Sequence, residues 1–396
     1  MDTYILAAKR TPIGSFLGSL SKVPAPHLGA QTISHLFNDE KTNEAIIPLE
    51  DVEECFMGQV LTAGSGQAPA RQSAIYAGLK HSVQCMTINK VCGSGLKAVM
   101  LGQDSISLDR SHVVVAGGQE NMSLTPYFLP QLRSGWKLGS SELEDGLIKD
   151  GLWDPYNDFH MGNAGEICAR EYKIHREVQD QFAINSYTKA LQAMENNWFQ
   201  KEIIELAVPG KKNIYVKEDE EPKKVIFDKI PNLKPAFEKE GSITAANASK
   251  INDGASACLL ISKQYMRANK LKPLARIIAQ GSFAKAPELF TTAPVQAIKN
   301  CLKNAGMKEL DIDLFEINEA FSVVALAVAK ELNISENKLN VHGGAVALGH
   351  PIGASGARIL TTLIYALKQH NKKYGVAGIC LGGGEAVALL IENLMI

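Results

Sequence analysis

The chain has 396 residues, 45% of them apolar and 21% charged, with a formal charge of −1 at neutral pH. That is more core-forming material than one domain needs, and the near-neutral balance excludes the strong field that nucleic acid or a membrane surface would require, leaving small-molecule chemistry. The seven cysteines (55, 85, 92, 168, 258, 301 and 380) are an odd number without the dense spacing of a secreted disulfide scaffold, so a reducing compartment is expected.

Residues 1–10 carry an acid at position 2 and no long apolar run, so no signal peptide is expected. No later segment approaches the roughly 20 apolar residues of a membrane helix. Residues 85–91 read as a strand, residues 95–108 as a helix, and Val113-Val114-Val115-Ala116 as the next strand, which is the alternation of an α/β fold. From about Met122 to Ala248 the texture changes. Pro126, Pro130, glycine-rich turns and the charged stretch 217–224 predict an inserted, loop-rich region. The earlier pattern then returns, with a strand at 313–317 and helices at 319–331 and 356–368. Cys92-Gly93-Ser94-Gly95, followed by Gly117-Gly118-Gln119-Glu120, is echoed by Gly353-Ala354-Ser355-Gly356 followed by Gly382-Gly383-Gly384-Glu385, which implies a duplicated α/β unit.

Cys92 falls where a strand-like segment meets a helix-like one. A sulfur there faces the positive end of the helix, which favours thiolate, and Gly93 and Gly95 clear the approach to it. The alternative is a buried cysteine at a tight turn. The spacing Gly93-x-Gly95-x-x-Ala98 also mimics a dinucleotide fingerprint, but Asp109 ends the same helix instead of the next strand, so a nicotinamide site is rejected. His350, held between Gly349 and Pro351, reads as a base for a thiol and a donor to a developing oxyanion, or as a surface turn residue. His342, before Gly343-Gly344, reads as structural. Cys380 closes an apolar run just before three glycines whose amides could form an oxyanion hole, and Asn318 sits where an amide would cap a helix. Two thiols served by one imidazole suit covalent acyl chemistry in two proton-linked steps. With no CxxC or HExxH spacing, no zinc is expected.

Four separated motifs resemble one family from end to end: Cys92-Gly93-Ser94, Asn318-Glu319-Ala320-Phe321, Gly349-His350-Pro351 and Cys380-Leu381-Gly382. The chain is similar to the thiolases, and most to their acetyl-CoA C-acetyltransferase branch. The resemblance implies that Cys92 is the nucleophile and carries an acetyl group, and that His350 activates it. Cys380 would exchange the proton at the methyl of a second acetyl-CoA. Asn318 would orient a water for one oxyanion hole, with the N–H groups of Cys92 and Gly382 forming the other. His160, Met161, Ser249, Phe290, Ala320 and Phe321 would line the coenzyme A and acyl sites, and Lys223, Lys224 and Lys229 are candidates for the nucleotide phosphates. The family pattern is broken at Lys250, where a smaller or hydroxylated residue is usual.

The implied architecture is α/β, two similar five-stranded mixed-sheet halves in an α-β-α-β-α layering. Residues 1–120 with 250–271 form one half and 272–396 the other, and 121–249 is an inserted loop domain. The implied substrates are acetyl-CoA, acetoacetyl-CoA and coenzyme A, with no metal or redox cofactor, no nucleic-acid or membrane partner, and a cytoplasmic location. Residues 131–145 resemble a segment that joins dimers, so a homotetramer is expected. The rival readings are a longer-chain 3-ketoacyl-CoA thiolase, a non-catalytic acyl-CoA binder on the same scaffold, and a Cys92–Cys380 redox pair.

Overall fold

The structure is a computed structural model that describes residues 2–38, 45–208 and 214–395. Nine strands form one hydrogen-bonded path: β1 (Thr3–Arg10), β2 (Glu54–Gly58), β3 (Gln84–Ile88), β4 (Val113–Asn121), β5 (Asn252–Ser262), β6 (Ala275–Ala284), β7 (Leu314–Ile317), β8 (Tyr374–Leu381) and β9 (Glu385–Asn393). Their order is β7-β8-β9-β6-β1-β5-β4-β2-β3, and the two-residue strand Gly14–Ser15 pairs with β5. Eight helices matter here: α1 (Ala25–Ser34), α2 (Pro69–Tyr76), α3 (Ser94–Ser107), α4 (Met161–Tyr172), α5 (Arg176–Glu195), α6 (Ala293–Ala305), α7 (Ser322–Leu332) and α8 (Ile352–Gln369).

The pairing pattern occurs twice. In the first half β1 runs antiparallel to β5 and β5 to β4, while β4, β2 and β3 are mutually parallel. In the second half β6 runs antiparallel to β9 and β9 to β8, and β7 is parallel to β8. The halves join where β1 pairs with β6. The counterpart of β3 is reduced to a single bridge between Leu339 and Phe315. There a side chain stands in for a strand: the amide of Asn340 accepts from Ile317 N–H at 2.8 Å and donates to Ile317 C=O at 2.9 Å. The edge of β7 is thereby satisfied without a further ladder.

Alternation along each strand explains the layers. Val114, Ala116 and Leu260 face a core shared with α3 and α8, whereas Val113, Val115, Leu259 and Ile261 face α1 and α2. Val387, Leu389 and Ile391 face the same central core from the other half, and Ala386, Ala388 and Leu390 face α6 and α7. Helix α8 is buried on every side from Ile352 to Leu367, as a central helix must be. Its close approach to α3 depends on glycine, since a Cβ on Gly356 would collide with the backbone of Leu96.

The segment between β4 and β5 is less irregular than its composition implies, because it contains α4 and the long α5. The buried face of α5 is Gln179, Asp180, Ala183, Ser186, Tyr187, Ala190 and Ala193. Small and polar residues on that face leave no apolar stripe to read, and the helix is stabilised by tertiary contacts instead.

Candidate active site

The duplicated topology brings two helix N-termini together. Cys92 precedes α3 and His350 precedes α8. A Cβ on Gly95 would strike the α8 backbone at Ala357 and Gly353, so the first turns of the two helices are in contact. The turn carrying Cys92 is strained, with Val91 at φ +45°, a conformation a β-branched residue rarely adopts. Ser94 holds it closed: its hydroxyl donates to Val91 C=O at 2.6 Å and accepts from Lys90 N–H at 2.9 Å. Gly93 lies against the Leu381 side chain, which brings the turn up to the end of β8.

The Cys92 sulfur faces the N–H groups of Gly382 and of Cys92 itself, and both favour thiolate. Burial outweighs them. Together with the charge of Glu120 it pushes the thiol up to about 11, so the lowered value expected from a helix terminus is not found and the resting group is a thiol. It needs a base.

His350 is 6% exposed, and its backbone N–H donates to Asn252 Oδ1 at 2.9 Å. Its Nδ1 lies 2.5 Å from Ser355 Oγ, and that hydroxyl donates to Pro351 C=O at 2.9 Å. With its own proton committed, Ser355 Oγ accepts from Nδ1–H. This assigns the proton to Nδ1 and leaves a lone pair on Nε2. Nε2 is buried and has no hydrogen-bond partner among the described residues. Burial, aided by the charge of Arg358, holds the ring down to about 3, so it is neutral at physiological pH. A neutral imidazole with a free, desolvated lone pair can take a thiol proton. The alternative of a surface turn residue is excluded by this burial.

Cys380 is fully buried at the end of β8, in one apolar cluster with Phe290, Ala320 and Phe321, and Met161 packs against that cluster. Burial first, and the nearby Cys92 sulfur second, push its thiol well above the ordinary value. Gly382 follows in the turn to β9, where a Cβ would meet Val91 at 3.4 Å and Met161 Sδ at 3.6 Å.

Asn318 does not cap a helix. It continues β7, donating its backbone N–H to Gly378 C=O at 2.9 Å, and Phe321 occupies the N-cap position of α7. Both atoms of its side-chain amide are buried without a partner among the described residues. A buried amide satisfied by nothing in the protein calls for a water or a substrate oxygen. Neighbouring Glu319 is instead fully engaged, accepting from Ser186 Oγ at 2.7 Å, Asn340 Nδ2 at 2.8 Å and Val346 N–H at 3.0 Å.

The outer candidates are also located. His160 caps α4 through Nδ1, which accepts from Gly162 N–H at 3.1 Å, and its ring stacks on Phe237 at 4.7 Å. Ser249 N–H donates to Ala320 C=O at 3.0 Å, beside a bridge between Ala248 and Phe321. Lys223 is paired with Glu218, Lys224 contacts Ser15, and Lys229 lines a surface cavity. Sequence reading missed Ser355 and Glu120. Glu120 accepts from the N–H groups of Val60, Leu61 and Gly353 at 2.8–3.1 Å, pinning the start of α8 to the first half. It lies near the end of β4 as Cys380 lies near the end of β8, a correspondence of the strands and not of the sequence echo, which matches Glu120 to Glu385.

Two family models match the chain: the thiolase N-terminal domain over residues 3–264 and the thiolase C-terminal domain over residues 271–393. The chain belongs to the thiolase family. Among thiolase relatives, a protein of Dictyostelium discoideum described as a probable acetyl-CoA acetyltransferase is 54% identical over 99% of this chain and 94% of its own length. The crystal structure of a thiolase from Ascaris suum in complex with coenzyme A superposes with a TM-score of 0.93 at 44% identity, covering all of both chains. That of the Bacillus anthracis acetyl-CoA acetyltransferase gives 0.95 at 38% identity over 99% of each. Among the described residues no helix of this thiolase is long and apolar enough to cross a membrane.

Proposed function

We propose that this thiolase is an acetyl-CoA C-acetyltransferase, joining two acetyl-CoA into acetoacetyl-CoA and coenzyme A and running the reverse thiolysis. The observation that carries the reading is a partly buried Cys92 close enough to the buried Cys380 to raise its pKa, together with His350 Nε2 and both amide atoms of Asn318, which are buried without a partner among the described residues. In the first half-reaction Nε2 takes the Cys92 proton as the sulfur attacks the thioester carbonyl. The N–H groups of Gly382 and Cys92 stabilise the oxyanion, and the departing coenzyme A thiolate takes its proton from the Cys380 thiol, leaving acetyl-Cys92, a Cys380 thiolate and a proton on His350 Nε2. In the second half-reaction the Cys380 thiolate accepts an α-proton from a second acetyl-CoA. Its raised pKa makes it a scarce base at rest but a strong one once ionised, as a weak carbon acid requires. A water on Asn318 together with His350 would stabilise the enolate oxygen, and the enolate carbon attacks acetyl-Cys92 to release its sulfur, which takes its proton back from His350.

Phe290, Phe321 and Met161 crowd the space around Cys380, which favours acetyl and acetoacetyl groups over long chains. Ser249, beside Ala320, and His160, next to Met161, are the proposed contacts for the pantetheine arm and acyl pocket. A tetramer is supported by the exposed Leu132, Trp136, Leu138 and Leu143 on the 131–145 segment, and a reducing, cytoplasmic location by seven free cysteines. We retain the domain limits 1–120 with 250–271, 121–249 and 272–396. Intact mass after exposure to acetyl-CoA tests the mechanism: an acetyl adduct is expected on the native chain and none on Cys92→Ala. Faster turnover of C8–C16 ketoacyl-CoA than of acetoacetyl-CoA would favour the longer-chain thiolase, and light scattering reads the assembly.

A further inference from the structure

Two cysteines that have no part in the scheme above face each other near one edge of the sheet. Cys55 on β2 and Cys85 on β3 are direct partners in the parallel ladder. Both side chains leave the face that packs against α1 and α2, where Cys55 belongs to the apolar core and Cys85 packs on it. Neighbouring strands lie about 4.8 Å apart, which puts the paired Cα atoms inside the range of roughly 4.4–6.8 Å that a disulfide spans.

The environments of the two sulfurs differ. Cys55 is fully buried, whereas Cys85, on the last strand of the path, is half-buried. Arg71 of α2 is fixed beside Cys85: Nη1 donates to Val83 C=O at 2.6 Å and reaches Cys85 Sγ at 3.9 Å, while Nη2 donates to His81 C=O at 2.7 Å. A hydrogen bond from the Cys55 S–H, together with the guanidinium, draws the Cys85 thiol below its ordinary value against the effect of burial. That same bond and burial hold Cys55 well above it, so Cys85 is the thiolate of the pair and Cys55 keeps its proton. Burial raises the thiols of Cys92 and Cys380 instead. A stabilised thiolate within reach of solvent, next to a second cysteine that can attack its oxidised form, is the arrangement on which hydroperoxides act.

We propose that Cys85 and Cys55 form a reversible disulfide site that a hydroperoxide oxidises ahead of the catalytic thiols. The Cys85 thiolate attacks one peroxide oxygen and the O–O bond breaks. The sulfur becomes a sulfenic acid, and the other oxygen leaves as water or an alcohol after taking a proton from solvent. The Cys55 sulfur then attacks the Cys85 sulfur, the S–O bond breaks, and the departing hydroxide takes the Cys55 proton to become water. Two thiols are thereby oxidised to one disulfide as one peroxide is reduced, and a dithiol reverses the change by exchange. The site does not depend on the acetyltransferase reading.

The test treats the reduced native protein with one equivalent of hydrogen peroxide per chain, alkylates the remaining thiols in denaturant and maps the peptides by mass. A link between Cys55 and Cys85 within one chain is expected, with Cys92 and Cys380 alkylated as free thiols, and prior treatment with a dithiol should abolish the link. In Cys55→Ala the reaction should stop at the Cys85 sulfenic acid, trapped by a cyclic diketone at least roughly tenfold faster than any on Cys92. Cys85→Ser should leave Cys55 a free thiol. A Cys92–Cys380 link formed first, a bridge between two chains, or an oxidised Cys85 beside an alkylated Cys55 overturns the proposal. So does a native chain in which Cys55 and Cys85 both survive as thiols, or trapping at Cys92 that outruns trapping at Cys85. The native peptide map decides the matter even if neither variant folds.

Discussion

Ser355→Ala isolates the hydroxyl that fixes the catalytic tautomer of His350. In the native protein the 2.5 Å contact with Nδ1 and the 2.9 Å bond to Pro351 C=O leave Ser355 Oγ only an acceptor role toward the ring. Without the hydroxyl, Pro351 C=O keeps partners, because the N–H groups of Ala354 and Ser355 both donate to it at 2.9 Å. The imidazole does not keep its partner. A buried Nδ1–H left unmatched costs about 1–3 kcal/mol, and the ring can avoid that only by moving its proton to Nε2, the atom that must accept from Cys92. If the wrong tautomer is favoured by about 1.4 kcal/mol, roughly one ring in ten stays competent, and acetylation of Cys92 slows about tenfold with unfolding free energy lower by about 1 kcal/mol. Rapid-quench intact mass gives the acetylation rate, and nitrogen-15 NMR of labelled histidine reads the tautomer. Native acetylation with the proton still on Nδ1 would refute the reasoning.

Asn318→Ala should leave stability almost unchanged, since neither amide atom has a protein partner, yet lower kcat by about 10²–10³ through loss of an oxyanion donor; a denaturation midpoint beside a turnover assay checks both. Cys380→Ala should still form the acetyl adduct, visible by mass, but give no acetoacetyl-CoA; a variant that condensed normally would remove Cys380 from the proton transfer. The contribution of the two buried histidines to stability should fall with acidity. Burial, with His370 and Arg358 adding to it, holds His342 and His350 down to about 3, whereas in the unfolded chain they protonate near their ordinary value of about 6.5. Below about pH 6.5 the unfolded state therefore binds more protons, so their contribution is complete above that value and is lost as pH falls toward 3. Buried Glu120, Glu316 and Asp253, whose carboxyls are raised to about 7, 8 and 6, act in the opposite direction, so the test is the difference in urea midpoint between the native protein and His342→Asn: the native advantage should fall from pH 7 to pH 5, and a difference independent of pH would contradict the assignment.

The positions that could be read in advance share one property, a local signal. Strand and helix pieces around Cys92 and His350 alternate with the right period, glycines mark the turns, and the echo between the 92–120 and 353–385 stretches announces the repeat. Helix α5 carried no such signal, because its inward face is small and polar. Asn340, whose amide replaces a strand at the edge of β7, sits in an ordinary loop sequence. The protonation of the site was equally hidden. Proximity of Cys92 to a helix N-terminus pointed to a lowered pKa, but the dominant influence is exclusion of water by distant segments.

The amino-acid order by itself determined the kind of chemistry and the folding grammar, because reactive side chains and backbone periodicity are properties of residues and their near neighbours. Only the tertiary structure decided which groups meet and in what ionic form. Whether a thiol holds its proton and which imidazole nitrogen is free both depend on water being displaced by stretches far away in the chain.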